Sequence, residues 1–124
     1  MKIILAIGAG SFIGGVLRYL VSKAVQSRFI LGFPFGTLTV NVIGCFLIGL
    51  LYGLTDRGAV TPEWRLFLAT GILGGFTTFS AFSMETVMLF REGQPGLAIA
   101  YVVSSVFVGI AGTFAGYGLV KFLG

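Results

Sequence analysis

The chain lacks histidine altogether and has a single cysteine, Cys45. One thiol gives no disulfide framework, and without histidine most metal-dependent and hydrolytic sites lose their usual ligands and bases. Acidic residues are also scarce, since only 4 of the 124 residues are Asp or Glu. No set of nucleophile, base and orienting residue is evident, so we do not expect an enzyme.

Apolar residues dominate what is present, at 56% of the chain, while charged residues supply only 10%. This composition is typical of an integral membrane protein. Four apolar runs are each long enough to cross a bilayer, which takes about 20 residues. They cover residues 3–21, 33–54, 66–90 and 97–120. We therefore predict an all-α fold with four transmembrane helices, forming one membrane domain over residues 1–124 in the cytoplasmic membrane.

The third run is predicted to contain a broken helix. Thr61-Pro62 is a good start for this helix, with Thr61 as N-cap and Pro62 at the first helical position. The middle of the run, from Gly71 to Glu85, carries glycine pairs and a series of Thr and Ser residues. Because unwound backbone survives in hydrocarbon only where protein covers it or a polar cavity adjoins it, we place the functional site here.

Positive charge gives no preferred orientation. Four spans put both termini on one side, and the 8 basic residues then divide equally. Lys2, Arg57, Arg65 and Lys121 lie on the terminal side; Arg18, Lys23, Arg28 and Arg91 lie on the other. Orientation follows an excess of Lys and Arg in cytoplasmic loops, so we expect insertion in both directions and an antiparallel homodimer. The alternative is that one charge, such as Arg18 or Arg65, fixes a single orientation.

Glycine pairs spaced four residues apart occur in every run. They allow helix backbones to approach closely, which predicts packing rather than ligand binding. The pairs are Gly10 and Gly14, Gly49 and Gly53, Gly71 and Gly75, and Gly112 and Gly116. In the fourth run Ser105, Gly109, Gly112 and Gly116 share one face, which we expect to meet another helix.

Several polar residues lie at membrane depth in the second and fourth runs. Thr37 and Asn41 are one helical turn apart, as are Tyr101 and Ser105, and Thr113 is two turns beyond Ser105. Hydrogen bonds between helices, worth about 0.6 kcal/mol each, are one explanation. A polar track that contacts a ligand is the other.

Glu85 is the only acidic residue inside a span. An intramembrane carboxylate is a functional candidate by default, but Arg91 lies only six residues on, so Glu85 can also be structural, paired with Arg18 or Arg91, or vestibular. Phe79 and Phe82 follow the predicted break three residues apart. They can be ordinary lipid-facing rings, or they can turn the positive edge of the aromatic quadrupole toward an anion.

The residues Gly74-Gly75-Phe76-Thr77-Thr78-Phe79-Ser80-Ala81-Phe82-Ser83-Met84-Glu85 strongly resemble the signature of the Fluc (CrcB-type) fluoride channels. Gly14-Gly15-Val16-Leu17-Arg18 in the first run and Pro34-Phe35-Gly36-Thr37-Leu38-Thr39-Val40-Asn41 in the second extend the agreement. The resemblance implies a passive, fluoride-selective channel that exports toxic fluoride and assembles as an antiparallel dual-topology dimer with two pores.

The resemblance also assigns roles to residues. Phe79 and Phe82 match pore-lining phenylalanines, Asn41 a fluoride-contacting asparagine, and Arg18 a vestibular arginine. Positions matching polar or aromatic pore-side residues are Thr37, Tyr101, Ser105 and Thr113. Gly74 and Thr77 match residues whose backbone carbonyls hold a structural Na+ ion at the dimer axis. Gly109 departs from relatives that carry Ser there, which affects the polar track in the fourth span.

Fluoride is small and strongly hydrated, so a selective pore must replace its water with hydrogen-bond donors. We hypothesise that these are the Asn41 amide and the hydroxyls of Thr37, Ser83, Ser105 and Thr113, together with the ring edges of Phe79 and Phe82. A proton-coupled multidrug exporter that uses Glu85, also with four spans and dual topology, is the alternative function. A non-transporting assembly subunit is a second alternative, and it would show no flux when reconstituted alone.

Overall fold

The computed structural model describes residues 1–29 and 32–124. Four segments are long and apolar enough to cross a membrane. They are helix α1 (Lys2–Gln26), helix α2 (Phe35–Asp56), the third span (Pro62–Arg91) and helix α6 (Pro95–Leu123). The third span is composed of α3 (Pro62–Arg65), a π-helical segment (Leu66–Leu73), α4 (Gly74–Phe76) and α5 (Phe79–Arg91). The prediction of an all-helical protein with four membrane-spanning segments is confirmed.

The third span is broken at Thr77 and Thr78, close to its midpoint. Both residues have extended backbone, with φ −95° and ψ 158° at Thr77 and φ −151° and ψ 117° at Thr78. The predicted break is therefore present, and it falls on the hydroxyl residues. Gly74 and Gly75 remain helical, and Gly75 packs closely against α1.

The π-helical segment was not predicted from the sequence. Over Leu66–Leu73 the helix is wider than an α-helix, and the Gly74 N–H that follows it donates to the Ala69 carbonyl, five residues back. Segments of this type are rare and often lie near functional sites. An uninterrupted apolar run does not distinguish an α-helix from a π-helix. Every face of such a helix is apolar, so the sequence shows no periodicity from which the number of residues per turn could be inferred.

Helix α1 packs in parallel along the first half of the third span, residues 62–76. A Cβ atom added to Gly10 would lie 2.7 Å from the Phe67 carbonyl oxygen, and one added to Gly14 would overlap the Ile72 carbonyl. From the other side, a Cβ atom at Gly75 would lie 2.6 Å from the Ser11 carbonyl oxygen. Only glycine permits this separation of the two backbones.

Helices α2 and α6 form a second parallel pair with the same type of contact. A Cβ atom at Gly49 would overlap the Thr113 carbonyl, and one at Gly116 would overlap the Phe46 carbonyl. Gly112 and Gly109 also face α2, where Cys45 Sγ lies 3.4 Å from the Cβ position of Gly109. The predictions that glycine pairs mediate packing and that this face of the fourth span meets another helix are confirmed.

Side-chain hydrogen bonds define where α3 and α2 begin. Thr61 Oγ1 accepts a hydrogen bond of 3.3 Å from the Trp64 N–H, which confirms the predicted N-cap. Helix α2 begins at Phe35 rather than at the predicted residue 33, because the Gln26 side chain holds the preceding backbone. Gln26 Oε1 accepts from the Gly36 N–H at 2.9 Å, and its Nε2 donates to the Phe33 carbonyl at 3.0 Å.

The buried interior is small and lies between α2, α5 and α6. Leu89, Ala98 and Tyr101 form its centre, and Phe82 packs against them. Much of the remaining apolar surface is exposed, including Phe107 at 70% and Phe114 at 72%. In a protein that crosses a membrane, such surface faces lipid or another subunit.

The glycine contacts generate a stability prediction. Gly14→Ala should lower the thermal midpoint measured in detergent, because its Cβ cannot enter without separating α1 from the third span, a type of overpacking that costs about 1–3 kcal/mol. Gly8→Ala is the matched control in the same helix, since a Cβ atom there meets nothing within 4 Å. Equal midpoints for the two variants would contradict the packing described here.

Candidate functional site

The break exposes backbone groups that the helix would otherwise pair, and Asn41 of α2 satisfies two of them. The Thr78 N–H donates to Asn41 Oδ1 at 2.8 Å, and Asn41 Nδ2 donates to the Thr78 carbonyl at 3.0 Å. The Asn41 side-chain amide thus forms two hydrogen bonds with the backbone of Thr78, like those that the backbone of an adjacent β-strand would form. Its amide nitrogen retains a second hydrogen for another acceptor.

Threonine hydroxyls satisfy the groups next to the break. Thr78 Oγ1 accepts from the Ala81 N–H at 3.1 Å and so acts as the N-cap of α5. Thr77 Oγ1 donates to the Leu73 carbonyl at 3.0 Å. The pattern of Thr and Ser residues predicts the break but not these partners, although Thr is a preferred N-cap residue and its hydroxyl commonly accepts from an N–H three residues later.

The same rearrangement releases the carbonyls at the end of α4 from the helical ladder. In a continuous α-helix the Gly74 carbonyl would accept from the Thr78 N–H, and the Thr77 carbonyl would accept from the Ala81 N–H. Both N–H groups donate elsewhere. The freed carbonyl oxygens are ligands that suit a hard cation, and Gly74 is exposed at the protein surface. The residues predicted to hold Na+ are therefore chemically suited to it.

Arg18 of α1 also reaches the end of α4. Its Nε donates to the Gly75 carbonyl at 3.1 Å, and the side chain is half-buried. A guanidinium at the C-terminal end of a helix is favoured by the partial negative charge there. Arg18, predicted to be vestibular, thus lies beside the break.

A second polar cluster surrounds Glu85 and joins three elements. Thr37 Oγ1 of α2 donates to Glu85 Oε2 at 3.0 Å, and the Tyr101 hydroxyl of α6 donates to Glu85 Oε1 at 3.0 Å. Thr37 is 8% exposed and Tyr101 is fully buried. The partners of Glu85 are these two hydroxyls, whereas Arg18, one of the two arginines considered from the sequence, donates to Gly75.

Aromatic rings connect the break with this cluster. The ring centroids of Phe79 and Phe82 are 5.6 Å apart, and those of Phe82 and Tyr101 are 5.0 Å apart. Phe33 continues the row, with an edge-to-face contact to Tyr101 at 5.5 Å. Phe79 is 79% exposed, so the row runs from an exposed ring near the middle of the third span through the half-buried Phe82 to the buried Tyr101. Phe33 was missed because a residue before Pro34 gives no sign of facing the site.

Three other residues predicted to line the pore, Ser83, Ser105 and Thr113, differ in their surroundings. Ser105 Oγ is buried without a hydrogen-bond partner among the described residues, and Ser83 is exposed. Thr113 Oγ1 donates to the Cys45 carbonyl at 3.0 Å and lies 3.4 Å from the Gly109 carbonyl. Thr113 therefore contributes to the packing of α2 on α6, and it lines a separate, largely apolar cavity with Tyr52 and Tyr117.

Two cavities adjoin the Glu85 cluster near the turn that joins α1 to α2. The larger, of about 420 Å³, is lined by Tyr19, Ser22, Lys23, Gln26, Ser27, Gly36, Thr37 and Glu85. The smaller, of about 200 Å³, lies beside Phe33, Glu85 and Glu92. The Glu85 carboxylate borders both, so it lies where the buried cluster opens toward the surface.

Comparison with known proteins identifies related chains. The family model described as "CrcB-like protein, Camphor Resistance (CrcB)" matches residues 5–117. A protein of Agrobacterium fabrum named "Fluoride-specific ion channel FluC" is 51% identical over 116 residues, which cover 91% of each chain. A protein of Rhizobium meliloti with the same name is 47% identical over 98% of each chain. One of Methylobacillus flagellatus, also so named, is 46% identical over 95% of this chain and 94% of its own.

Proposed function

The chain belongs to the CrcB-like family, and we propose from this membership that it is a fluoride-specific ion channel. It lets fluoride leave the cytoplasm passively and so protects the cell from fluoride toxicity. The observation that carries the proposal is agreement over nearly the whole chain with relatives named as fluoride-specific ion channels. The protein is a multi-pass protein of the cell membrane and not an enzyme.

The relatives favour a channel over a proton-coupled multidrug exporter. The exporter hypothesis requires Glu85 to exchange protons and cationic substrate. In the structure both carboxylate oxygens already accept hydrogen bonds from Thr37 and Tyr101. These two hydrogen bonds give Glu85 a fixed position at the edge of the polar cluster.

Fluoride moves along the aromatic row in this proposal. The edges of Phe79 and Phe82 carry partial positive charge that favours an anion without trapping it. Donors not engaged in other contacts complete the path: the second N–H of Asn41 and the hydroxyls of Ser83 and Ser105. The hydroxyls of Thr37 and Thr113 donate to protein oxygens, so they join the path only by rotating toward the ion.

The working assembly is an antiparallel homodimer with two pores. The equal division of basic residues between the two sides favours insertion in both orientations. Phe79 and Gly74 are exposed near the middle of the third span, where an isolated chain would present both a ring and an unpaired carbonyl to lipid. A two-fold axis in the membrane plane brings each break against its inverted copy and covers these groups.

The Gly74 and Thr77 carbonyls of both subunits would hold a structural Na+ ion at that axis. The break diverts the N–H groups that would pair these carbonyls, which supports this assignment. When bound, such an ion would supply positive charge next to these carbonyl oxygens. Gly74 and Thr77 provide these ligands through the backbone, while the Thr77 side chain stays bonded to its own helix.

Replacement of the pore rings tests the channel directly. Phe79→Ile and Phe82→Ile should each lower fluoride efflux from proteoliposomes by about two- to twelvefold, since one ring interaction is worth about 0.5–1.5 kcal/mol. A fluoride electrode records efflux, and chloride serves as the ion control. Phe122→Ile, an exposed ring at the end of α6, is the matched protein control. Wild-type efflux in both pore variants would argue strongly against this pathway, and absence of efflux from the wild type would refute the channel.

Orientation is tested by single cysteines in a Cys45→Ala background. Ser27→Cys and Ala59→Cys place exposed thiols in turns on opposite sides of the membrane. A membrane-impermeant maleimide should label about half of each population from outside, because both orientations are equally favoured. The other half should react only after permeabilisation. Complete labelling of one site with none of the other would exclude dual topology.

Sodium is tested by preparing the protein without it from cell lysis onward, with choline as the replacement cation. We expect a lower thermal midpoint for the dimer and reduced fluoride efflux, both restored by Na+ at the same ionic strength. Restoration distinguishes a bound ion from general damage. Identical midpoint and efflux in choline would contradict the proposed ion.

A further inference from the structure

The larger cavity beside Glu85 is lined by charged residues and hydroxyl groups. Among the described residues that line it, Lys23 is the one cation and Glu85 the one anion. Hydroxyl groups of Tyr19, Ser22 and Ser27 line the same cavity. Ser22 and Ser27 donate to the Tyr19 and Ala24 carbonyls at 3.3 and 2.9 Å, whereas the Tyr19 hydroxyl accepts from Lys23 and keeps its own hydrogen for an anion. The lining of this cavity is therefore more polar than the lining of the cavity between α2 and α6.

The position of the Lys23 ammonium is defined by Tyr19, one helical turn earlier. Lys23 Nζ donates to the Tyr19 hydroxyl at 3.4 Å and lies 5.5 Å from the centroid of the same ring. These contacts keep the charge at the cavity wall instead of leaving the long side chain free in solvent. The residue itself remains exposed, so an ion from solution can reach it.

The cavity leads to the residues proposed to conduct. Thr37 and Glu85 form part of its lining and are hydrogen-bonded to each other, and Glu85 is bonded to Tyr101 in the aromatic row. The Glu85 carboxylate would repel an anion, but two hydroxyl donors already reduce its exposed negative charge. An ammonium near the opening offsets the rest, since clefts with low-dielectric walls concentrate the field of the charges that line them.

We propose that this cavity is the aqueous entrance of the pathway and that Lys23 attracts hydrated fluoride into it by long-range electrostatics. The inference rests on the proposed channel function and adds a site and a residue to it. Lys23 acts on the rate at which fluoride arrives, not on the selectivity of the narrow part. Its effect must therefore weaken as salt shortens the screening length.

Lys23→Gln tests the proposal in proteoliposomes at low fluoride, with efflux compared at two concentrations of a salt whose ions do not permeate. At about 10 mM salt, where the screening length is roughly 30 Å, efflux should fall about threefold. At about 1 M salt, where this length is roughly 3 Å, the variant and the wild type should agree. Lys23→Arg should behave as wild type at both.

Lys121 provides a matched control. Its Nζ lies 5.2 Å from the Tyr117 ring centroid, so it also stacks on a tyrosine four residues away, but it is not part of the cavity lining. Lys121→Gln removes one positive charge from the terminal side and Lys23→Gln one from the other, so either could bias orientation. The double variant restores an equal count, and it should keep the low-salt loss of Lys23→Gln.

The outcomes separate this inference from the function on which it rests. Wild-type efflux with an unchanged Lys23→Gln variant at low salt overturns the entrance but leaves the channel intact. A loss that persists equally at high salt, or that Lys121→Gln reproduces, also overturns it, because the cause is then structural or topological. Absence of fluoride efflux in every protein, wild type included, overturns the channel itself.

Discussion

The structure depends on one constraint: backbone polar groups released by a broken helix in a membrane must find partners within the protein. Thr77 and Thr78 interrupt the third span near its midpoint. The Asn41 amide pairs both backbone groups of Thr78, and the Thr78 hydroxyl caps the helix that follows. Leaving such groups unpaired would cost about 1–3 kcal/mol for each one. The amide that α2 presents at this depth therefore stabilises the break, together with the Thr78 hydroxyl.

Glycine makes that pairing geometrically possible. Because α1 contacts the third span and α2 contacts α6 through glycine surfaces, the four spans lie close enough for short polar side chains to bridge them. A Cβ atom at Gly44 would overlap the Thr77 methyl group, so α2 approaches the break itself this closely. Thr37, Glu85 and Tyr101 bridge three elements by the same means. The glycine contacts thus produce both the close packing of the helices and the polar site between them.

Much of this arrangement could be predicted from residue types and spacing. Apolar runs of spanning length indicate four helices, small residues four apart indicate close faces, and Thr and Ser between Gly74 and Glu85 indicate a break. The partners of polar groups could not be predicted, because they depend on how helices distant in sequence meet. Asn41 is 37 residues from Thr78 and Thr37 is 48 from Glu85, so no local pattern relates them. The π-helical segment and the Gln26 cap of α2 were missed for a similar reason: apolar periodicity carries no information about either.

In the proposed channel, the break in the third span has a functional role as well as a structural one. A continuous third helix would not free the carbonyls of Gly74 and Thr77, and the rings of Phe79 and Phe82 directly follow the break, with Phe82 in contact with Tyr101. In the proposed dimer the carbonyls meet a cation and the rings meet an anion. Both ions then depend on the pairing between Asn41 and Thr78.

Amide hydrogen exchange at Thr78 tests this pairing most directly. If Asn41 holds the break, the Thr78 N–H exchanges slowly in the reconstituted protein, and Asn41→Ala speeds its exchange by about fivefold or more, as expected from the loss of a hydrogen bond worth at least about 1 kcal/mol. Thr55→Ala is the control, because the Thr55 hydroxyl bonds only the Leu51 carbonyl of its own helix. A Thr78 amide that exchanges as fast as those of exposed turns, with no response to Asn41→Ala, would contradict the account.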